Sequence, residues 1–259
     1  MREAIGHLRK AAAGSVTCSG RFAPSHVQQR MTSRMIRRLV TPFVLTVAVV
    51  SAPAAAQNAA QNAAEAERVV KALDLRPGTI VAELGAGYGR LTVLIARIVG
   101  DTGRVFSNEV NSDRVQQISR VVESEGLKNV TVVTGQANDG NLPEQCCDAV
   151  FMRDVYHHFA NPEAMNASIM KALKPGGKLA VLDFGPPPGA ESPRPEDRDE
   201  DGHHGITPAT LELELKAAGF EVLSTEQYGL RSSLTIARRP MAPGPEDCAI
   251  SAGSNRLLN

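Results

Sequence analysis

Residues 83–90 read Glu-Leu-Gly-Ala-Gly-Tyr-Gly-Arg, a glycine-rich turn between an apolar strand-like run at 79–84 and an apolar helical run at 91–99. Alternate glycines allow positive φ angles and let a ligand lie against the main chain, while the start of the next helix points free N–H groups toward it. This setting predicts a nucleotide-cofactor loop. A dinucleotide fingerprint has its third glycine three residues after the second, to seat a pyrophosphate. The third glycine here is Gly89 and position 90 is Arg, so the spacing argues against a dinucleotide.

Helical and strand-like patterns alternate along the rest of the chain. We predict helices at 63–73, 91–99, 112–125, 162–173 and 208–218, and strands at 79–84, 104–109, 130–134, 149–153, 178–183, 220–225 and 233–237. Strands separated by helices of about ten residues imply parallel βαβ units with right-handed crossovers. The pattern therefore predicts an α/β fold with a doubly wound, mostly parallel sheet, in a domain at 57–240.

The charges of this 259-residue chain, 28 basic and 28 acidic, are unevenly distributed. Residues 1–56 hold eight basic residues and one acidic residue, which leaves 20 basic and 27 acidic residues in the remainder. A net-acidic body without Lys/Arg clusters is poorly suited to nucleic acid, because phosphate contacts dominate that affinity. We therefore expect a small-molecule acceptor and no nucleic-acid partner. The oligomeric state stays open.

The segment 31–56 has the layout of a secretory signal peptide: three arginines precede the apolar run 39–50, and an Ala-Ala-Ala cleavage pattern follows at 54–56. We expect residues 1–56 to be an N-terminal extension outside the fold and the mature protein to be periplasmic or secreted. No stable membrane span is expected after cleavage. A membrane-anchored or cytoplasmic protein is the alternative. Residues 241–259 are predicted to be a flexible tail.

The four cysteines show neither metal-type spacing nor the framework of a disulfide-rich secreted protein. Cys18 falls in the N-terminal extension and Cys248 in the tail. Cys146 and Cys147 are adjacent where a buried strand begins, and we interpret them as small hydrophobic residues.

With acidic Glu83 closing the strand, the glycine turn resembles motif I of class I S-adenosylmethionine (SAM) methyltransferases, whose cofactor has a cationic sulfonium and no pyrophosphate. The second strand ends in Asn108-Glu109, and a carboxylate offers two acceptor oxygens to the two hydroxyls of a ribose. The stretch Leu-Lys-Pro-Gly-Gly-Lys-Leu at 173–179 matches the family's turn into the fifth strand. The resemblance implies a Rossmann-like methyltransferase fold, a seven-stranded sheet with a C-terminal antiparallel hairpin, and SAM as the cofactor.

The resemblance also implies where the cofactor lies. The stretch 135–139 follows the third strand, where this family meets the adenine; many members have Asp directly after that glycine, but this chain has Gln136. We expect Asn138 or Asp139 to take over the contact with the adenine amino group. The expected cofactor-binding residues are Glu83, Gly85, Ala86, Gly87, Tyr88, Gly89, Asn108, Glu109, Asn138, Asp139, Arg153 and Asp154.

The run Asp-Val-Tyr-His-His-Phe at 154–159 follows the fourth strand, whose C-terminal end faces the methyl-donating sulfur in this architecture. Methyl transfer is an in-line displacement, so the protein must align a nucleophile and, where needed, remove its proton. His157 or His158 is the predicted base, because histidine titrates near neutral pH, and Tyr156 is expected to pack against or hydrogen-bond the acceptor. The alternative is that one histidine packs or caps the next helix. The run resembles bacterial class I methyltransferases loosely related to quinone-biosynthesis and small-molecule enzymes.

No metal site is predicted. Metal-dependent catechol-type enzymes have a ligand Asp directly after the fourth strand, where this chain has Arg153, with Asp154 one place later. A histidine site remains conceivable, since imidazole is a common ligand of transition metals; it would combine His157, His158, His203 and His204. The second pair lies in the polar loop 185–205, where we expect solvent exposure and a mobile lid over the acceptor.

The sequence therefore predicts a SAM-dependent methyltransferase acting on a small aromatic or lipophilic acceptor. Two alternatives stay open. One is a non-catalytic exported protein that binds SAM or S-adenosylhomocysteine, and the other is a nicotinamide-dependent oxidoreductase. Binding of SAM, S-adenosylhomocysteine and NAD would separate the three.

Overall fold

The computed structural model describes residues 54–200 and 202–241, and side chains from residue 57 onward. Residues 1–53 and 242–259 lie outside the described residues, and with them almost all of the signal-peptide-like segment, Cys18, Cys248 and nearly all of the predicted tail. Within the described part of the chain, no helix combines the length and the apolar character that crossing a membrane requires.

Helices and strands alternate as the sequence predicts. In chain order the described elements are α1 (Ala54–Leu73), β1 (Ile80–Leu84), α2 (Arg90–Val99), β2 (Arg104–Glu109), α3 (Ser112–Ser124), β3 (Val130–Thr134), β4 (Cys147–Arg153), α4 (Pro162–Ala172), β5 (Leu173–Phe184), α5 (Pro208–Ala217), β6 (Glu221–Gln227) and β7 (Ser232–Arg238). A one-turn 3-10 helix, Tyr156–His158, follows β4, and a second, Pro195–Asp197, interrupts the loop after β5.

The strands form one seven-stranded sheet in the order β3-β2-β1-β4-β5-β7-β6. Strands β1 to β5 run parallel, and β7 pairs antiparallel with both β5 and β6. The predicted doubly wound α/β sheet with a C-terminal antiparallel hairpin is confirmed. Because the chain order reverses between β1 and β4, a ligand crevice is expected at the carboxyl ends of these strands.

The sheet has a hydrophobic core on each face. In β1, Val81 packs with α1 and α2 on one face, and Ala82 faces α4 and α5 on the other. Phe151 and Met152 alternate in the same way in β4, and both are fully buried. Successive side chains of a strand point to opposite faces, so continuous apolar runs suit strands that are covered on both sides.

One local prediction is wrong. The Lys-Pro-Gly-Gly stretch is the first part of β5 rather than a turn into it: Gly176 N–H donates to the Arg239 carbonyl at 3.0 Å, and Arg239 N–H donates to the Gly177 carbonyl at 2.8 Å. These bonds satisfy main-chain groups of the stretch.

Cys147 is fully buried in the core and Cys146 packs against it, in agreement with the interpretation of both as small hydrophobic residues. The two neighbours also form a disulfide.

Candidate active site

A cavity of about 630 Å³ opens at the carboxyl ends of β1, β2 and β4. This is the switch point of the sheet, where ligands bind in open α/β folds. The cavity is lined by Leu84, Gly85, Gly87, Asn108, Glu109, Val110, Arg114, Gln136, Ala137, Arg153, Asp154, Val155, His158, Phe159, Ala160, Met165 and Asp199.

The glycine turn forms one wall of the cavity, and two of its glycines are required for different reasons. Gly85 has φ +67°, and a Cβ there would lie 2.4 Å from Cγ2 of Val155, so its absence lets the turn pack against the residues after β4. Gly87 has φ +57°, and no atom lies within 4 Å of a Cβ built on it. The missing side chain of Gly87 therefore leaves open space on the cavity side, where a ligand can approach bare main chain.

Glu109 ends β2 at the cavity and is almost fully buried. Its Oε2 accepts a hydrogen bond from Gly87 N–H at 2.9 Å, and its Oε1 accepts from Val110 N–H at 2.9 Å and Asn111 N–H at 3.0 Å. Backbone donors thus fix the orientation of the carboxylate. These bonds use three of the four lone pairs of the carboxylate, so one lone pair, on Oε2, remains for a ligand hydroxyl.

Asn108 holds two walls of the cavity together from a buried position. Its carbonyl accepts from Ala86 N–H at 2.8 Å, and its side-chain Nδ2 donates to the Gly140 carbonyl at 2.6 Å. Its amide fills the space where Gly135 lacks a side chain, because a Cβ there would lie 2.6 Å from Nδ2. Asn108 therefore positions both the glycine turn and the loop after β3.

That loop presents different residues to the cavity from those we predicted. Gln136 and Ala137 line the cavity, while Asn138 and Asp139 are exposed and do not line it. Oδ1 of Asp139 accepts from the Ser168 hydroxyl at 2.7 Å and from Asn141 N–H at 2.8 Å. The Ser168 hydrogen bond, followed by that of Asn141, holds the pKa of Asp139 below its usual value. Asp139 ties the loop to α4 and lies outside the cavity lining.

Glu83 lies under the glycine turn rather than in the cavity. It is buried, its Oε2 accepts from the Thr92 hydroxyl at 2.5 Å, and that hydroxyl lies 2.7 Å from the Ser107 hydroxyl. Burial raises the pKa of Glu83 to about 7, against the lowering effect of the Thr92 hydrogen bond. Glu83 thus braces β1, β2 and α2 against each other.

The remaining predicted residues of the turn, Ala86, Tyr88 and Gly89, do not line the cavity. Ala86 is buried and bonded to Asn108, and Gly89, with φ +73°, is the N-cap of α2. Tyr88 is half exposed, and its ring centroid lies 5.5 Å from the guanidinium carbon of Arg114, which itself lines the cavity.

Arg153 and Asp154 line the cavity at the end of β4. Arg153 donates to Oδ1 of Asn62 at 3.0 Å and forms an ion pair with Glu65, so it connects β4 to α1. Asp154 has φ +54°, an unusual angle for a non-glycine residue, and its N–H donates to the Leu182 carbonyl at 2.8 Å. Burial and the nearby carboxylate of Asp183 raise the pKa of Asp154.

Tyr156 does not face the cavity. Its side chain is fully buried in the core, and its hydroxyl accepts a hydrogen bond from Nδ2 of Asn166 at 2.7 Å. Burial raises the pKa of the Tyr156 phenol far above its usual value, so the hydroxyl stays neutral. This environment indicates a packing role, and Tyr156 lies outside the cavity lining.

The two adjacent histidines have different environments. His157 is buried, with Nδ1 2.7 Å from Oδ1 of Asp183, and it does not line the cavity. His158 does line the cavity, is partly exposed, and has Nδ1 2.8 Å from Oδ1 of Asp199. Burial, followed by the charge of His157, lowers the pKa of His158, which favours neutral imidazole at pH 7.

Sequence reasoning missed several residues at this site. Asp183 ends β5 beside β4, and a polar residue at that sheet edge was a usable signal. Arg114 reaches the cavity from α3, and its sequence context gave no such signal. Asp199 reaches it from the loop 185–205, which we expected to lie over the acceptor, but nothing singled out this residue within the loop. Val110, Ala137 and Met165 are apolar lining residues that no motif marked.

The strand order, the glycine turn and the acidic end of β2 together define a class I SAM-dependent methyltransferase domain, as the motif resemblance predicted. Residues 81–177 match the family model for the methyltransferase domain. The match confirms the predicted methyltransferase class for this part of the chain.

Curated relatives match less than half of the chain. The ubiquinone/menaquinone biosynthesis C-methyltransferase UbiE of Shewanella pealeana is 33% identical over 119 residues, which are 46% of this chain and 47% of that protein. The UbiE protein of Blochmanniella pennsylvanica is 36% identical over 112 residues, 42% of this chain and 44% of that protein. The chain thus spans about half the length of the curated relatives it matches.

A solved structure extends the similarity over more of the fold. A SAM-dependent methyltransferase from Aquifex aeolicus superimposes with a TM-score of 0.58 at 26% identity, covering 67% of this chain and 89% of that chain. The likeness therefore extends beyond the residues that the family model matches.

Proposed function

We propose that this protein transfers a methyl group from SAM to a small aromatic or lipophilic acceptor. The observation that carries the proposal is one cavity bordered by the glycine turn, by the Glu109 carboxylate bonded to that turn, and by His158 at the end of β4. Cofactor-holding and proton-accepting groups thus share one space at the switch point of the sheet.

The residues of the cavity suit the parts of SAM. Glu109, held by backbone donors, would accept a hydrogen bond from a ribose hydroxyl through Oε2, and Gly87 would let the cofactor lie against main chain. Gln136 and Ala137, which line the cavity, would meet the adenine in place of Asn138 or Asp139. The acidic side chain of Asp154 complements a cationic amino group. SAM supplies an electrophilic methyl group on a positive sulfur.

His158 is the residue we propose as the general base. Asp199 lies against Nδ1 of His158, so Nε2 is left to accept a proton. That proton would come from a hydroxyl of the acceptor or from an acidic C–H group of the acceptor. As the acceptor forms its bond to the methyl carbon, the sulfur–methyl bond breaks and its electron pair stays on sulfur. The lowered pKa of His158 keeps the imidazole unprotonated at neutral pH, as a base requires.

The apolar part of the lining supports an aromatic or lipophilic acceptor. Val155, Phe159 and Met165 lie on the β4 and α4 side of the cavity, and both Phe159 and Met165 are nearly buried. An apolar surface of this kind favours a ligand with little charge. The relatives are named for C-methylation in quinone biosynthesis, which supports an aromatic ring as the acceptor.

We also propose that the chain is exported, on the signal-peptide-like segment 31–56. The disulfide between Cys146 and Cys147 supports this, because disulfides persist in oxidising compartments. Export would require SAM to be supplied outside the cytosol. Mass spectrometry of the N-terminus of the purified protein tests the proposal: a mature chain starting near residue 57 supports it, and an intact N-terminus contradicts it.

The test of the activity starts with calorimetry using SAM, S-adenosylhomocysteine and NAD, followed by methyl transfer from labelled SAM to a panel of phenols, quinols and fatty acids. Binding of SAM with transfer to one acceptor class is the expected result. Binding of S-adenosylhomocysteine without transfer to any acceptor would favour the non-catalytic alternative, and preference for NAD would favour an oxidoreductase.

A further inference from the structure

Three imidazoles meet beside the cofactor cavity although they come from distant parts of the chain. His157 and His158 follow β4, and His204 lies in the loop between β5 and α5. One ring nitrogen from each residue lies within 4.8 Å of the others. Nε2 of His157 is 2.9 Å from Nε2 of His204. Of the loop histidines that we expected to be solvent-exposed, only His204 joins this group.

Asp183 fixes the orientation and the tautomer of His157. Its Oδ1 lies 2.7 Å from Nδ1 of His157, its Oδ2 accepts from His157 N–H at 3.2 Å, and both side chains are only 1% exposed. A carboxylate at Nδ1 keeps the proton there, so Nε2 presents its lone pair toward His204. Histidines that bind metals commonly donate the other ring N–H to a carboxylate in this way.

Asp199 adds an oxygen to the same cluster. Its Oδ1 lies 2.8 Å from Nδ1 of His158 and 3.8 Å from Nε2 of His204. Tetrahedral zinc sites use nitrogen and oxygen ligands about 2.0 to 2.2 Å from the metal, which places ligand atoms about 3.3 Å apart. The distances between neighbouring ligand atoms in the cluster range from 2.8 to 3.8 Å, so some are shorter and some are longer than this value. Small rotations of the half-exposed rings of His158 and His204 would bring the ligand atoms together.

We propose that His157, His158 and His204 bind a divalent transition-metal ion such as Zn²⁺, with Asp199 as a fourth ligand and Asp183 as the carboxylate that orients His157. Imidazole nitrogen suits zinc and its neighbours in the first transition series. The set has neither the all-oxygen composition of a magnesium site nor any thiolate.

The position of the site suits the ion to activate the methyl acceptor, a role that rests on the proposed function. His158 and Asp199 belong to both the cluster and the cavity lining, so the ion would lie next to the acceptor. A bound cation lowers the pKa of an acceptor hydroxyl and stabilises its anion. In the metal-bound form His158 is a ligand, and the ion takes over from it the activation of the acceptor.

The test uses the purified full chain after treatment with a chelator. Zn²⁺ is added in a calorimeter, and Co²⁺ is added while the visible absorption is recorded, because its spectrum reports nitrogen and oxygen ligands directly. We expect one ion per chain with a dissociation constant of about 10 μM or tighter. His204→Ala should weaken binding at least about tenfold and change the cobalt spectrum, and Asp183→Asn should weaken binding about 10- to 100-fold.

His203→Ala is the matched control. His203 is the neighbour of His204 in the same loop, but its Nδ1 lies 2.6 Å from the Ala190 carbonyl and it takes no part in the cluster. Its substitution should leave ion binding unchanged. Absence of one-to-one binding by the unsubstituted chain, or equal losses in His203→Ala and His204→Ala, would overturn the proposal. Calorimetry with S-adenosylhomocysteine on the same samples shows separately whether the proposed function fails.

Discussion

The main-chain N–H of Gly87 donates a hydrogen bond to Oε2 of Glu109 at 2.9 Å, which joins the turn after β1 to the end of β2. The other oxygen of the carboxylate is held by the N–H groups of Val110 and Asn111. Because three backbone N–H groups hold the carboxylate, it is oriented before any ligand binds. Little conformational freedom is then lost when a ribose hydroxyl binds.

Glu109→Ala should therefore weaken the binding of SAM and S-adenosylhomocysteine by about 1.5 to 3 kcal/mol, the value of hydrogen bonds to a charged group. Calorimetry measures the change. Glu226→Ala, which removes an exposed glutamate on β6 outside the cavity lining, is the control and should bind like the unsubstituted protein. Unchanged affinity in Glu109→Ala would remove the ribose-binding role.

Gly87→Ala should abolish measurable cofactor binding at a moderate loss of stability. A Cβ at Gly87 meets no protein atom, so it would occupy space that we assign to the ligand. The positive φ angle adds strain of about 1 to 2 kcal/mol for an L-residue.

Gly126→Ala separates these two effects. Gly126 also has a positive φ, +65°, and open space at its Cβ, but it follows α3 and does not line the cavity. Both variants should lose similar free energies of unfolding, and only Gly87→Ala should lose binding. Equal binding by the two variants would mean that the cofactor does not approach Gly87.

Tyr156→Phe should lower stability without a direct effect on methyl transfer. The substitution removes the hydroxyl that accepts from Nδ2 of Asn166 in the core, and an unsatisfied buried donor costs about 1 to 3 kcal/mol. Denaturant unfolding measures the loss. At a temperature where both proteins are folded, the rate of transfer should match; a large drop in rate with unchanged stability would restore the catalytic role for Tyr156.

Glu83→Gln should change the pH dependence of stability. Because burial raises the pKa of Glu83 from 4.5 to about 7, the folded state binds a proton that the unfolded state has lost between these pH values. The contribution of Glu83 to stability therefore falls as pH rises through this window, by on the order of 3 kcal/mol. Glutamine has no charge to bury and keeps an acceptor for Thr92.

Unfolding of both proteins at pH 5 and pH 8 tests this expectation. Relative to the unsubstituted protein, Glu83→Gln should be more stable at pH 8 than it is at pH 5, because the cost of ionising the buried carboxyl is gone. A difference between the two proteins that stays the same at both pH values would show that Glu83 is not protonated near neutral pH in the folded state.

Local sequence patterns predicted much of the fold because they reflect burial. The predicted bounds of β2 and β3 agree with the structure, since apolar runs between turn residues define strands. Helix α1 is longer than the predicted 63–73 because its first turns, rich in Ala, Gln and Asn, have helix-compatible residues but no apolar period.

The orientation of individual side chains at the site was harder to predict. Tyr156, His157 and His158 are adjacent, and only the 3-10 geometry determines which of them faces the core. Residues three apart align in such a turn, and Tyr156 packs against Phe159 with ring centroids 5.1 Å apart. The contact between His157 and His204 joins segments far apart in the chain, and no local pattern contains that information.

The two hydrogen bonds of Asn108 determine how the cavity can open. The glycine turn and the loop after β3 are both attached to the end of β2, so neither wall can swing outward without breaking a buried hydrogen bond. Asp199 also lines the cavity, but its side chain is 65% exposed and lies 2.8 Å from His158. Because a ligand that enters past Asp199 would displace an exposed contact and no buried hydrogen bond, we expect entry on that side.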